Sequence, residues 1–367
     1  MNPRLDRVYQ EDEKMNISFT NTNYSIVNAL RRTILSDIPV VSFTTFPHDE
    51  NKCEIFKNTS NLNNEIVKHR LSCVPVHLDP NDETYKSLKI VVNVKNDTNE
   101  TIYVTTEDFE VYDINTQKPI NADDRRKIFP SNKITDDFID FVRLKSEISG
   151  DIPGEELHFE ATLDINTAKS NGCYNCVSLC SYINTPDTIK ANDMWIEKEK
   201  MLKQKKETKE DIEYIKNNWF LLDAKRICIE DSYEFSIQTI GVLPNETIFK
   251  MSCDILVEHL KELGDKFESD SIIINKPVST TENEYEVILE GIDHTIGKVL
   301  EYILYEIYYI ERQLITLCGF HKKHPHDNFS IIRIALAETT DKEIIREYCS
   351  TAIQEAKKIF MDFGSKF

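Results

Sequence analysis

Apolar and polar residues first settle into a regular pattern at Met15. Asn16-Ile17-Ser18-Phe19-Thr20 alternates polar with apolar, as a half-buried strand does, and Asn21-Thr22-Asn23 is turn chemistry. From Tyr24 to Leu35 the residues Ile26, Val27, Leu30 and Ile34 fall at helical spacing, with Pro39 soon after. The segment therefore reads strand, turn, amphipathic helix. The same unit returns late in the chain. Tyr285-Glu286-Val287-Ile288-Leu289-Glu290 reads as a strand and Gly291-Ile292-Asp293 as a turn; a helix follows through Ile296, Val299, Leu300, Ile303, Leu304 and Ile307. Ser25-Ile26-Val27-Asn28-Ala29-Leu30 aligns with Thr295-Ile296-Gly297-Lys298-Val299-Leu300: a hydroxyl, Ile, two variable positions, a small or branched apolar residue, Leu. Two copies of one strand–turn–helix unit suggest paired, related domains in a single polypeptide.

Beyond the second copy, Phe329 to Leu336 reads as a strand rich in β-branched residues. Thr340 and Glu343 have capping-box spacing at the start of a last helix, whose stripe runs from Ile344 and Ile345 to Ile359 and Phe360. The middle predicts strands at Leu88–Val94, Thr101–Thr105 and Leu157–Ile165. It continues with one charged, solvated helix over 194–217, a strand at Tyr233–Ile240 and a helix at Asn245–Leu263. The piece 264–282, with Pro277 and Ser279-Thr280-Thr281, reads as a linker.

Charge and chemistry narrow the function. Asp and Glu total 63 against 44 Lys and Arg, for a formal net charge of −19, a field that repels phosphate backbones. No direct, sequence-specific nucleic-acid role is expected. Nine Cys, an odd number, are scattered through the chain, and no apolar signal-peptide core or membrane-length run is seen. The expectation is an intracellular, reducing setting with free thiols and no membrane partner. There is no phosphate-cradling Gly-rich loop, no nucleophile motif and no Asp triad of the kind that holds Mg²⁺. Catalysis by this chain is not expected.

The run Ser25-Ile26-Val27-Asn28-Ala29-Leu30-Arg31-Arg32-Thr33-Ile34-Leu35-Ser36-Asp37-Ile38-Pro39 resembles the dimerisation motif of the bacterial RNA polymerase α subunit and of the third-largest archaeal and eukaryotic subunit. Val67-Lys68-His69-Arg70-Leu71-Ser72-Cys73-Val74-Pro75-Val76 looks like the next landmark of that family, and Phe235 to Pro244 is similar to the strand before its later helix. The C-terminal unit resembles the smaller, eleventh subunit: Asp293 to Leu300, Cys318-Gly319-Phe320, His324-Pro325-His326 and Ile331-Ile332-Arg333-Ile334 follow its order. The resemblance implies an α+β fold of two α-type dimerisation domains packed as an intramolecular pseudo-dimer, plus an inserted β-rich domain. The boundaries are dimerisation domain at 1–47 and 153–263, insert at 48–152, linker at 264–282 and eleventh-subunit-like domain at 283–367. Fusion of the two is similar to the arrangement in large cytoplasmic DNA viruses, which would place the chain in the virion and host cytoplasm.

What the resemblance implies for function is a non-catalytic platform for the two largest polymerase subunits, with a small zinc-ribbon-type subunit as a further partner. No separate homodimer is needed because the partner is fused. Mg²⁺ would belong to the partner catalytic subunit. The intramolecular interface would use Ile26, Val27, Leu30 and Ile34 against Ile296, Val299, Leu300 and Ile303. Arg31, Arg32, His69 and Arg70 would touch a large subunit; the plainer alternatives are solvated charges for the first pair and a local structural bond for the second. Cys173, Cys176 and Cys180 have C-x2-C-x3-C spacing, half of a zinc pattern, but no second Cys pair lies nearby and no cofactor is expected here. His321, Lys322, Lys323, His324 and His326 crowd one loop, read first as the family's turn. Competing classes are a scaffold outside the polymerase and a zinc protein built on those cysteines.

Overall fold

The computed structural model describes all residues except 1, 2, 12, 149–151, 206, 270, 278–282 and 340. In chain order the elements are β1 (Arg4–Glu11), β2 (Lys14–Thr20), α1 (Tyr24–Ser36), β3 (Pro39–Phe43), β4 (Cys53–Asn58), α2 (Asn64–Ser72), β5 (Leu88–Lys95) and β6 (Ile102–Thr105). They continue with β7 (Glu110–Asp113), β8 (Lys118–Pro119), α3 (Ala122–Ile128), β9 (Asp140–Leu144), β10 (Glu156–Thr167), β11 (Val177–Pro186), α4 (Thr188–Gln204), α5 (Lys209–Leu221) and β12 (Cys228–Thr239). Last come α6 (Asn245–Glu268), β13 (Ile273–Asn275), β14 (Glu284–Glu290), α7 (His294–Leu304), β15 (Ile315–His321), β16 (Phe329–Leu336) and α8 (Glu343–Gly364).

Two compact units result. The first comprises 1–33, 179–238 and 245–367; the second comprises 34–178 and 239–244. The first unit holds two four-stranded antiparallel sheets of one topology, ordered β1-β2-β12-β11 and β13-β14-β16-β15. In each, the second strand runs into a helix (α1, α7), and the third strand in the order is followed by a long helix (α6, α8). The agreement extends to single residues. β2 and β14 are displaced by 270 positions at both ends. The same displacement relates Asn21 (φ 51°) to Gly291 (φ 73°), both left-handed at the strand end, where Asn and Gly are tolerated. It also relates Asn23, whose Oδ1 accepts from Ser25 N–H at 2.9 Å, to Asp293, whose Oδ1 accepts from Thr295 N–H at 2.8 Å.

The first sheet differs from the second by what is inserted in it. Where β15 turns into β16, β11 is separated from β12 by the helical hairpin α4–α5. The sequence predicts one solvated helix over 194–217; the structure breaks it. Thr208 Oγ1 accepts from Asp211 N–H at 3.2 Å and starts α5 afresh. The two helices close on a private core of Ala191, Trp195, Trp219 and Ala224. The linker reading of 264–282 is also corrected among its described residues: α6 continues to Glu268, and β13 pairs with β14. α6 stays helical because Leu260, Leu263 and Phe267 prolong its buried stripe. The proposed cap at Thr340 lies outside the described residues, and no side chain caps the helix at Lys342. After Leu304 the second short helix widens into one π-helical stretch, Tyr305–Glu311.

The second unit is built on β10. Its first half pairs with β4 and β5 and its second half with β3, giving a six-stranded sheet; β6 and β9 pair separately. One strand serving three neighbours carries the compact unit past the 48–152 segment read from the sequence. Phe109 centres the core, 5.3–6.4 Å in ring separation from Phe43, Phe129, Phe141 and Phe159.

Candidate functional site

α1 and α7 each present one apolar stripe: Ile26, Val27, Leu30, Ile34, Ile296, Val299, Leu300 and Ile303 are all 4% exposed or less. Near the end of α1, Arg32 reaches the start of α7. Its Nε donates to Thr295 Oγ1 at 2.9 Å and its Nη2 to Asp293 Oδ2 at 2.8 Å. At the other end of α1, Asn23, Tyr24 and Ser25 share a cleft with Lys298, Glu301, Tyr302 and Tyr305 of α7 and the residues after it. The helices therefore run in opposite directions, start of one beside end of the other.

Asp293 does two jobs with two oxygens: Oδ1 caps α7 and Oδ2 takes Arg32. Burial pushes its pKa up, but the Thr295 hydrogen bonds and the Arg32 charge outweigh that and hold the carboxyl below the ordinary carboxylate range. A depressed carboxylate contributes stability that is present above its unfolded pKa, about 3.9, and that is lost as pH falls through the lower folded value. At neutral pH the clip is ionised and intact. Because the pair is 39% and 47% exposed, its worth is small, about 1 kcal/mol or less. Arg32→Glu places like charges together and is expected to lower the denaturation midpoint by the equivalent of about 1 kcal/mol. Adding Asp293→Asn, which keeps a capping oxygen, should restore most of the loss. Failure of the second change to restore it would dissociate Arg32 from Asp293.

The long helices α6 and α8 pack antiparallel. A Cβ on Gly364 would lie 3.3 Å from Cys253 Cβ, and one on Gly264 would lie 3.7 Å from Ile353 Cγ2, so the start of α6 faces the end of α8. Their buried residues recur at spacings of three or four, Cys253, Leu256, Leu260, Leu263 and Phe267 on one and Cys349, Ala352, Ala356, Phe360 and Phe363 on the other. α8 also reaches the other copy's sheet: Phe363 lies 5.2 Å from Phe19 of β2. On α7, Gly297 has no room for a side chain, since a Cβ there would fall 2.0 Å from Phe320 Cε2.

The other singled-out residues divide by unit. Arg31, in the first unit, donates from Nε to Asn28 Oδ1 at 3.0 Å. In the second unit His69 is exposed, and Arg70 is spent locally, donating to the carbonyls of Phe141 at 2.7 Å and Asp140 at 2.9 Å. Two sequence landmarks meet in that unit. His77, next after Val67–Val76, lies against Gly241, where a Cβ would be 3.6 Å from His77 Cε1. Burial lowers the His77 pKa, with the Gly241 backbone opposing. Of the three spaced cysteines, Cys173 and Cys176 belong to the second unit and Cys180 to the first: burial pushes Cys176 up to about 12, and Cys180 Sγ faces the Arg31 carbonyl at 3.9 Å. Among the described residues no group of three His, Cys, Asp or Glu is placed to hold a metal ion. Among them, too, no helix is long and apolar enough to cross a membrane. The residues that sequence reading missed are Asp293 and Thr295 as partners of Arg32. The sequence carries only their capping role, since Asn23-x-Ser25 and Asp293-x-Thr295 are one capping pattern, and no signal of the pairing with Arg32.

The comparisons bear on this architecture. The sequence profile of the RNA polymerase Rpb3/Rpb11 dimerisation domain matches residues 16–260. DNA-directed RNA polymerase subunit Rpo3 of Pyrococcus furiosus is 24% identical over 276 residues, 71% of this chain and 94% of that protein. Rpo3 of Methanosphaera stadtmanae is 23% identical over 273 residues, 68% and 93% respectively. DNA-directed RNA polymerases I and III subunit RPAC1 of Homo sapiens is 29% identical over 86 residues, so in that match the chain spans 23% of the relative's length. With the profile covering more than half of the chain, and with the doubled strand–turn–helix units in place, the protein belongs to the RNA polymerase Rpb3/Rpb11 dimerisation-domain family.

Proposed function

We propose that this chain is a non-catalytic assembly subunit of a DNA-directed RNA polymerase, with two dimerisation partners fused into one polypeptide. The observation that carries the reading is the pair of equivalent four-stranded sheets whose helices α6 and α8 run antiparallel against each other, as the two halves of a dimer would. The profile match ends at residue 260, ahead of the second sheet, so the fusion rests on the repeated topology. Covalent linkage makes pairing intramolecular, so no bimolecular encounter is needed. The platform would hold the two largest subunits, and nucleotide and Mg²⁺ chemistry would stay with them. Arg31 and His69 remain proposed large-subunit contacts; Arg32 and Arg70 already have partners within the chain. The arrangement is similar to that of large cytoplasmic DNA viruses, and a virion setting belongs to the same proposal.

Affinity capture of the tagged chain from its native source, after nuclease treatment, tests the reading. Two very large proteins near one-to-one stoichiometry are expected by mass spectrometry. A folded chain that returns alone would overturn it.

A further inference from the structure

The turn between β15 and β16 inverts the sign of the molecule. His321, Lys322, Lys323, His324 and His326 stand together with no acid among residues 321–326, in a chain of net charge −19. Lys323 and the three histidines are exposed and Lys322 partly so. Elsewhere members of basic runs are paired with acids: Lys127 with Asp124 at 2.7 Å, Arg126 with Glu107 at 3.6 Å, and Lys203 with Glu199 at 2.7 Å. Among the described residues Lys322 and Lys323 make no such pair. The one adjacent acid, Asp327, has an oxygen committed to the loop itself, accepting from His324 N–H at 3.0 Å.

The frame under these charges is ordered. Gly291 N–H donates to Asn328 O at 2.7 Å, Asp327 N–H to His324 O at 3.1 Å, and His326 N–H to His324 Nδ1 at 3.2 Å. A partner would meet positive groups whose backbone is already fixed, so binding loses little loop entropy.

We infer that this turn is a docking point for a short Asp/Glu-rich segment of a partner protein. A run of three or four carboxylates fits within one Debye length, about 8–10 Å, of the two lysines. A nucleic acid duplex does not: beyond that distance its phosphates lie over the surface of a strongly acidic chain. Two lysines would neutralise about two phosphates, a salt slope near −1.8, which is too little for useful affinity. The tip also lacks a Phe, Tyr or Trp between 321 and 328 on which bases could stack. The identity of the protein carrying the segment rests on the polymerase reading; the chemistry of the segment does not.

The test uses the full chain and its K322E/K323E variant. Both changes are on surface side chains without acid partners, so folding is retained; a K322Q/K323Q variant checks this with neutral residues. A fluorescent peptide of about ten residues, mostly glutamate, is titrated at about 50 mM salt, in parallel with a duplex DNA of about 20 base pairs. Peptide binding by the wild type, weakened about tenfold or more by K322E/K323E and less by K322Q/K323Q, is the expected result. Equal peptide affinity in wild type and variant overturns the inference, as does absence of peptide binding, or duplex binding that the variant loses. The affinity capture separates the two proposals. Variant and wild type recovering large subunits equally sinks the docking point alone. A wild type that recovers none while still binding the peptide sinks the polymerase reading alone.

Discussion

Truncation of Phe19 to alanine is expected to cost about 3–5 kcal/mol. Phe19 has no exposed surface, and its ring meets Phe235 edge-on at 6.0 Å, Phe249 at 6.4 Å and Phe363 at 5.2 Å. One side chain therefore joins β2 and β12 to α6 of its own copy and α8 of the other. Collapse around the missing ring is restricted because each neighbour is held by a different element. The measurement is chemical denaturation followed by circular dichroism. Tryptophan fluorescence would report elsewhere, since both tryptophans, Trp195 and Trp219, sit in the α4–α5 hairpin. Phe363→Ala should lose a similar amount, and the double variant should fall short of the sum by about 0.5–3 kcal/mol, as neighbours do. Strict additivity would mean that the two copies do not share a core.

Gly297→Ala separates two physical accounts by sign. Helix propensity alone favours alanine inside α7 by about 1 kcal/mol. Packing opposes it: the new methyl would fall 2.0 Å from Phe320 Cε2 and 2.3 Å from Cδ2. The Phe320 ring is 8% exposed and edge-on to His294 at 5.0 Å, so it has little freedom to retreat. Overpacking of this kind costs about 1–3 kcal/mol or more. The expected net result is destabilisation by about 2 kcal/mol, reversed largely by adding Phe320→Leu. A Gly297→Ala protein more stable than the wild type would refute the packing argument.

The elements that were legible in the sequence are those whose evidence is local. Ile17 and Phe19 alternate within one strand, Ile26, Leu30 and Ile34 share one helix face, and the Ser25 and Thr295 runs align without a gap. These patterns need no knowledge of what lies far along the chain. The clip between Arg32 and Asp293 was not legible, because the Coulombic partner of an arginine is set by a tertiary approach of residues 261 positions apart. β13 reads as linker because three residues carry no period to detect. The stretch 194–217 reads as one continuous helix because its charges mask the Thr208 cap, and Trp195 and Trp219 form a core only after the chain folds back. The cysteine spacing suggested a ligand set, yet burial puts Cys176 in the interior and the Arg31 carbonyl in front of Cys180.

The contact of Phe363 with Phe19 has a consequence for biosynthesis. The ribosome makes β2 early, but the aromatic ring that covers it arrives only when residue 363 is translated. At about 5–20 residues per second that delay is roughly 20–70 s. Throughout it, the nascent chain carries an unfinished apolar sheet, as two separately translated partners would until they met. During that wait Phe19 has Phe235 and Phe249 beside it but not Phe363, so the last helix to be made is the one that closes the first sheet.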